Sequence, residues 1–223
     1  MGNRARYDDV ADWYEQELAT GPLAGEPREP ALRLLGSAVG TLLDVGCGGG
    51  AHSAAFAEAG WDVTGVDASA AQLRYAVERG VRVVHADAAS MPFEHASFDA
   101  AVSVWLHTDA DDFAGTVRGV ARVLRPGGPF VYVGAHPCFI GPHSRFVIGA
   151  SAPVLHPGYW QTGRYDDGPA ISPTGLRAKV GAVHLPLGEL MHAFLDAGFR
   201  LEHLEEPAGG REYPYMIATR WRR

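Results

Sequence analysis

Three aspartates stand at the ends of short apolar runs, and the spacing around them could build a nucleoside site. Asp44 precedes the cluster Gly46-Cys-Gly-Gly-Gly50, Asp67 comes 17 residues after Gly50, and Asp87 is followed by Ala88. Glycines at a strand-to-helix junction let backbone approach a ligand closely, and the first helical turn offers free N–H groups. Gly46-x-Gly48-x-x-Ala51 also satisfies the dinucleotide fingerprint, so the loop alone leaves NAD open. A carboxylate two residues before the first glycine suits a ligand with a cationic group better than a pyrophosphate. No lysine follows the loop, which excludes a P-loop. Asp67 can accept both hydroxyls of a ribose. Asp87 can accept from an adenine amino group, with Ala88 leaving room for the ring. Each aspartate alone reads as well as a helix N-cap; in this order the three describe an adenosine with a cationic end.

Acid–base chemistry falls to histidine, of which the chain has ten. A histidine tuned near neutrality suits removal of a proton from a phenol or an acidic C–H. His184 and His107 rank first, as two separate segments converging above one end of a sheet, followed by His136; His143 is a fourth competitor. His52, inside the glycine loop, is expected to pack or cap, and His85 and His203 to be structural. Cys47 reads as a small spacer. The two cysteines build neither a disulfide framework nor a zinc site, and no HxxxH or carboxylate cluster has metal-ligand spacing.

The elements that position these residues follow from periodicity. A helix opens at Asp8 or Asp9 with Val10, Trp13, Tyr14 and Leu18 at helical spacing, and Gly21-Pro22 ends it. A second short helix carries Leu32, Leu35 and Val39. From Thr41 strands alternate with helices: strands at 41–45, 61–66, 81–86, 98–105 and 130–134, helices at 51–59, 70–79 and 111–124. Ser69-Ala-Ala-Gln72 reads as a capping box, with serine and glutamine each satisfying an orphan N–H. Alternation of this kind predicts an α/β, Rossmann-like doubly wound sheet. The stretch 134–182 is rich in glycine, proline and aromatics with no period and reads as an insertion over the carboxyl end of the sheet. A helix at 187–196 and two strands at 199–204 and 214–220, close enough to pair as a hairpin, end the chain.

Composition narrows the class. The 223 residues are 47% apolar and 20% charged with net charge −7, which opposes disorder and argues against nucleic acid or an anionic membrane. No apolar run approaches ~18 residues, and the N-terminus lacks a secretory pattern; a soluble, cytoplasmic domain is expected. The excess of arginine over the single Lys179 carries no functional weight.

S-adenosylmethionine, with a sulfonium and an ammonium, is a ligand of the expected kind. Leu42-Leu-Asp-Val-Gly-Cys-Gly-Gly-Gly50 through Asp67, the stretch Ala86-Asp-Ala-Ala-Ser-Met-Pro-Phe, and Arg122-Val-Leu-Arg-Pro-Gly-Gly128 resemble the class I S-adenosylmethionine-dependent methyltransferases, closest to the small-molecule group of ubiquinone/menaquinone C-methyltransferases. The resemblance implies a seven-stranded sheet, mostly parallel with an antiparallel last strand. It implies N-terminal helices over the cofactor (1–40), a cofactor-binding core (41–134), an irregular substrate insertion (135–186) and a last helix with a terminal hairpin (187–223). By position, Asp44, Gly46, Gly48 and Gly50 would hold the methionine end, Asp67 and Ala68 the ribose and adenine face, and Asp87 and Ala88 the adenine edge. Tyr14 would come from the covering helix, and the segment Ser103-Val-Trp-Leu-His107, with Trp105, would line the transfer chamber, which His184 also faces. No Asn/Asp-Pro-Pro-aromatic motif follows the fourth strand, which argues against amino-methylation of nucleobases or protein amides. The implied activity is methyl transfer to a small-molecule acceptor by in-line displacement, leaving S-adenosylhomocysteine. The alternatives are an NAD-dependent oxidoreductase or a cofactor-binding protein without transfer activity. Acceptor, methylated atom and oligomeric state are not set by the sequence.

Overall fold

The computed structural model describes residues 5–19, 21, 24–38, 40–145, 153–168, 171–172, 174–208 and 212–223. Helix α1 (Ala11–Glu17) and α2 (Arg28–Leu35) precede an alternating series: β1 (Thr41–Val45), α3 (Ala51–Glu58), β2 (Asp62–Asp67), α4 (Ala70–Glu78), β3 (Arg82–His85), β4 (Ala100–Val104), α5 (Phe113–Val123) and β5 (Pro129–Ala135). Then come β6 (Ser144–Arg145), β7 (Val154–Leu155), β8 (Gly163–Tyr165), α6 (Leu176–Val180), β9 (Ala182–His184), α7 (Leu187–Asp196), β10 (Arg200–Glu205) and β11 (Met216–Arg222). Seven strands form one sheet in the order β10-β11-β5-β4-β1-β2-β3. β1 to β5 run parallel, and β11 is antiparallel to both of its neighbours. The expected hairpin is therefore present, with its second strand inserted between β5 and β10.

Residues facing alternate sides of each strand fill two cores, as a sheet covered on both faces requires. Leu43, Val45, Phe130 and Tyr132 face α5 and α7 with Phe113, Val117, Val120, Leu190 and Phe194. Leu42, Val102, Val131 and Val133 face α2 and α3 with Leu34, Leu35 and Phe56. The far end is anchored by Phe194 of α7 stacked on Trp221 of β11, with centroids 4.5 Å apart and planes within 1° of parallel. Arg220, also on β11, donates to the carbonyls of Leu34 and Leu35, satisfying the C-terminal end of α2.

Several expectations shift. α1 begins at Ala11, after turns at residues 6–10, because no side chain caps it. α2 starts at Arg28, ahead of the apolar positions Leu32 and Leu35 that mark it in the sequence, with Pro30 tolerated in its first turn. Pro22 and Val39 lie outside the described residues. The insertion is not wholly irregular: β6 pairs with β7 and β8 with β9, both antiparallel. These strands are two or three residues long, too short for a period to show. Among the described residues no helix is long and apolar enough to cross a membrane.

Phe194→Ala should lower unfolding free energy by about 3–5 kcal/mol, read from urea titration followed by circular dichroism. A loss below about 1 kcal/mol would show that α7 does not anchor the β11 edge.

Candidate active site

The parallel strands end at one edge, and the turn from β1 into α3 lies there. Gly46, Gly48 and Gly50 have φ of +75°, +52° and +77°, a region other residues enter only with strain. The N–H groups of Gly46 and Cys47 donate to Val66 O at 2.8 and 3.1 Å, which ties the turn to β2. A Cβ on Gly50 would come 2.8 Å from Ala76 of α4, so only glycine lets the two helices approach. Cys47 is the spacer expected: its Sγ lies 2.6 Å from where a Cβ on Gly65 would stand. Burial pushes its thiol pKa well up, with Asp44 and Asp67 adding to the effect.

Asp44 differs from the expected open carboxylate. It is 2% exposed and accepts a hydrogen bond from Ser53 Oγ of α3 at 2.5 Å. Burial raises its pKa to about 7, against the lowering effect of Ser53 and with a further push from Asp67. Asp67 stays at the edge, half-buried, accepting from Gly48 N–H at 2.9 Å and Ser69 N–H at 2.8 Å. Its pKa is raised by burial, with both N–H bonds opposing. Each of its oxygens keeps a lone pair for a further donor. Asp87 is exposed and caps the short 3₁₀ turn Ala88–Ser90 by accepting from Ala89 N–H at 2.8 Å. Ala68 is exposed and Ala88 half-buried.

Gln72 is a polar group that sequence reasoning assigned elsewhere. Ser69 Oγ accepts from Gln72 N–H at 3.1 Å, half of the capping box. The glutamine side chain does not reach back. Its amide is buried with neither polar atom bonded and faces the glycine turn, Oε1 being 3.9 Å from a Cβ position on Gly48 and 3.3 Å from one on Gly49. An orphaned buried amide beside the open face of Gly48 and the carboxylate of Asp67 fits a ligand rich in hydroxyl and amino groups.

The N-terminal segment crosses this edge and is tied at many points. Asp8 accepts from Ser69 Oγ at 2.7 Å and Ala71 N–H at 3.2 Å. Glu15 pairs with Arg79, which also donates to Gly49 O at 2.7 Å. Tyr14 meets Tyr7 edge-to-face, with centroids at 5.7 Å, and its phenol pKa is raised by burial and by Asp109. Asp109, past β4, gathers Tyr7 Oη at 3.1 Å and Arg177 Nη1 at 2.6 Å. Arg177 also reaches Thr108 Oγ1 at 2.9 Å. Burial alone would lower its pKa, but the Asp109 carboxylate together with Tyr7 and Tyr165 more than reverses this. Lys179 lies over the Trp13 ring at 4.8 Å. Asp109 and Arg177 escaped the sequence reading because their partnership joins residues 68 apart. Trp105, directly after β4, is in a left-handed conformation, φ +64°, with its indole stacked on Tyr215 at 6.2 Å. Strain of this kind in a non-glycine residue collects at functional sites.

The expected histidines separate by what holds their nitrogens. His107 is 1% exposed, packed among Phe113 and Tyr132 with Nδ1 on Tyr132 Oη. Burial drives its pKa to about 3, with Arg177 and His184 contributing. His136 accepts from Cys138 N–H at Nδ1, 3.2 Å, and meets Glu206 Oε1 through Nε2 at 2.7 Å. Both nitrogens are spent, which corrects its placement among open bases. His184 donates from Nε2 to Tyr159 O at 2.8 Å, leaving Nδ1 as an acceptor. Its pKa is lowered by burial, a shift the Tyr159 bond opposes. β9, which carries His184, packs against the 3₁₀ turn Leu106–Thr108 beyond β4, so His184 and His107 do converge. His52 stacks on Phe56 at 6.5 Å and caps nothing. Among the described residues no group of three His, Cys, Asp or Glu side chains is arranged to hold a metal.

A family model described as a methyltransferase domain matches residues 43–132. The O-methyltransferase resE of Aspergillus sclerotiorum is 35% identical over 130 residues, covering 54% of this chain and 48% of that protein. A demethylmenaquinone methyltransferase of Tropheryma whipplei is 34% identical over 135 residues, covering 57% of this chain and 56% of its own length. The chain thus spans about half the length of the curated relatives it matches. An S-adenosylmethionine-dependent methyltransferase from Mesorhizobium loti, solved as a crystal structure, superposes with a TM-score of 0.71 at 28% identity, covering 89% of this chain and 99% of that one.

The Asp44 environment has a pH signature. Its folded pKa, about 7, lies above that of the unfolded chain, so the stability its protonated form contributes is complete below pH ~4 and is lost as pH rises through ~7. Asp44→Asn keeps an acceptor for Ser53 without the charge. The ligand-free wild type should lose more melting temperature between pH 5 and pH 8 than the variant, with about 3 kcal/mol at stake. Parallel melting curves across that range would refute a neutral buried Asp44.

Proposed function

We propose that the chain is a class I S-adenosylmethionine-dependent methyltransferase, with S-adenosylmethionine as cofactor, and that it transfers a methyl group to a small organic acceptor. The observation that carries the reading is the seam of Gly48, Asp67 and Gln72 at the ends of β1 and β2. There an open glycine, a carboxylate with spare lone pairs and an unsatisfied amide lie together. When bound, S-adenosylmethionine supplies a methyl group made electrophilic by its sulfonium.

In this reading the residues divide the work. Asp67 accepts the ribose hydroxyls, Ala68 flanks the adenine, and Asp87 with Ala88 meets its edge. The backbones of Gly46, Gly48 and Gly50 line the methionine end. Asp44, behind the turn, is held ionised by the ammonium, since an opposite charge lowers a buried carboxyl's pKa. Tyr14 and Trp105 close the space from either side and exclude water. His184 receives a proton from the acceptor, with its tautomer fixed by Tyr159 O. The enzyme's main task is alignment, because the electrophile is already strong. The O-methyltransferase and quinone methyltransferase named among the relatives support a small-molecule acceptor.

An oxidoreductase of the doubly wound class would continue its sheet in parallel after the fifth strand, whereas β11 runs antiparallel. Isothermal titration separates the two cofactors. S-adenosylhomocysteine should bind and NAD should give no heat. Asp67→Ala should weaken S-adenosylhomocysteine at least tenfold, about 1.4 kcal/mol, with Asp67→Asn intermediate because it keeps one acceptor. Binding of NAD, or an affinity untouched by Asp67→Ala, would defeat the assignment.

A further inference from the structure

His143 and His184 come from the turn before β6 and the end of β9, and their ring centroids lie 5.2 Å apart. Each gives its Nε2 to a backbone carbonyl, His143 to Cys138 O at 3.1 Å and His184 to Tyr159 O at 2.8 Å. A carbonyl can only accept, so each neutral ring carries its hydrogen on Nε2 and presents Nδ1 as a lone pair. Gly141 shows that the lone pairs converge: a Cβ there would lie 2.7 Å from His184 Nδ1 and 2.9 Å from His143 Nδ1. The residues are 2% and 3% exposed, and His143 Nδ1 has no partner.

His143 Nδ1 is a buried acceptor without a donor, a costly state, and His184 Nδ1 borders the same small space. A single shared hydrogen satisfies both. The surroundings favour a proton over a metal ion. Tyr159 packs edge-on against both rings, at 5.1 and 5.7 Å, and Cys138 Sγ lies 3.9 Å from Tyr159 Oη, a hydroxyl that already accepts from Leu187 N–H. Beyond them, His107 on the neighbouring turn lies within electrostatic reach of His184. No third ligand completes a metal set among the described residues.

We propose that His143 and His184 act as one proton-accepting pair for the hydroxyl of the methyl acceptor, which makes an acidic O–H compound, a phenol or an enol, the substrate class. The assignment rests on the methyl-transfer reading above and deepens it. The acceptor's O–H bond breaks, its proton passes to His184 Nδ1 and is shared with His143 Nδ1, and the oxygen keeps the electron pair. That pair forms the new C–O bond to the methyl carbon while the electrons of the S–C bond go to sulfur; water later takes the proton from the imidazoles. His143 works through His184 and is a positioning residue. Sharing opposes the downward pressure that burial places on the His184 pKa, to which His143 adds when both rings are charged.

The test is imidazole ¹⁵N NMR on the full chain saturated with S-adenosylhomocysteine, comparing wild type with His143→Phe. Phenylalanine keeps a ring against Tyr159 but offers no lone pair. A sharing pair predicts that His184 in the variant titrates lower by about one pH unit. If His143 only packs, its removal takes away a neighbouring charge, and His184 titrates unchanged or higher; that result overturns the proposal. Should the variant not fold, wild type alone decides, because a pair takes up its first proton with both Nδ1 signals moving together. Two independent transitions overturn it. For the substrate class, 4-nitrophenol added to the saturated wild type should ionise below its pH in water, read from nitrophenolate absorbance. His184→Ala should abolish this, and no ionisation in wild type overturns the class. Calorimetry with S-adenosylhomocysteine is run beside these arms: absence of binding defeats the methyl-transfer reading, while the ligand-free titration still judges the pair.

Discussion

The carboxyl edge of the sheet depends on one fit, that of the β1–α3 turn against β2. Two successive N–H groups, of Gly46 and Cys47, share the carbonyl of Val66, and the Cys47 side chain occupies the place a side chain on Gly65 would fill. Gly50 can start α3 only because it and Ala76 are small where the two helices meet. Asp67 then clamps the turn through Gly48 N–H while holding the start of α4 through Ser69 N–H. Small residues are here for exclusion of volume as much as for conformational freedom. One larger side chain at 50 or 65 would move the turn, and with it Asp67 and the open face of Gly48.

A second constraint is electrostatic. Asp109 is the common partner of Tyr7 and Arg177, and Arg6 bonds its carbonyl and the neighbouring Asp111. One carboxylate therefore joins the N-terminal segment, the turn beyond β4 and helix α6 of the insertion. Pairs of this kind add less net stability than their geometry implies, because desolvation offsets attraction. Their use is to specify one arrangement of segments whose own contacts are few. Burial raises the phenols of Tyr7 and Tyr14 and the carboxyl of Asp67, and the same Asp109 charge adds to each, so cover and nucleoside edge share one field.

The parts legible in the sequence were those set by local rules. Strand β1 and helix α7 fall where apolar period and flanking glycine or proline place them, and the glycine turn reads directly from Asp44 to Gly50. The rest depends on partners distant in sequence. Gln72 fits a capping box by spacing, yet its amide faces the glycine turn, a preference only the packed α3–α4 junction creates. Asp44 reads as an open carboxylate until Ser53, nine residues on, brings α3 over it. The insertion hides its strands because two or three residues cannot display a period.

The histidines make the same point at the level of single atoms. Spacing ranked them by position along the chain, but what an imidazole can do depends on its two nitrogens, and their partners here are backbone groups or distant side chains. His136 has both nitrogens engaged, and His107 is held neutral among aromatics. His143 and His184 have one each on a carbonyl and the other beside Gly141. Carbonyl partners leave no mark in a sequence, since every residue has one. Gly141 does leave one: a residue without a side chain, two positions before a histidine. Its meaning appears only when β9 brings the second ring alongside, and the missing side chain is then seen to leave two lone pairs facing one space.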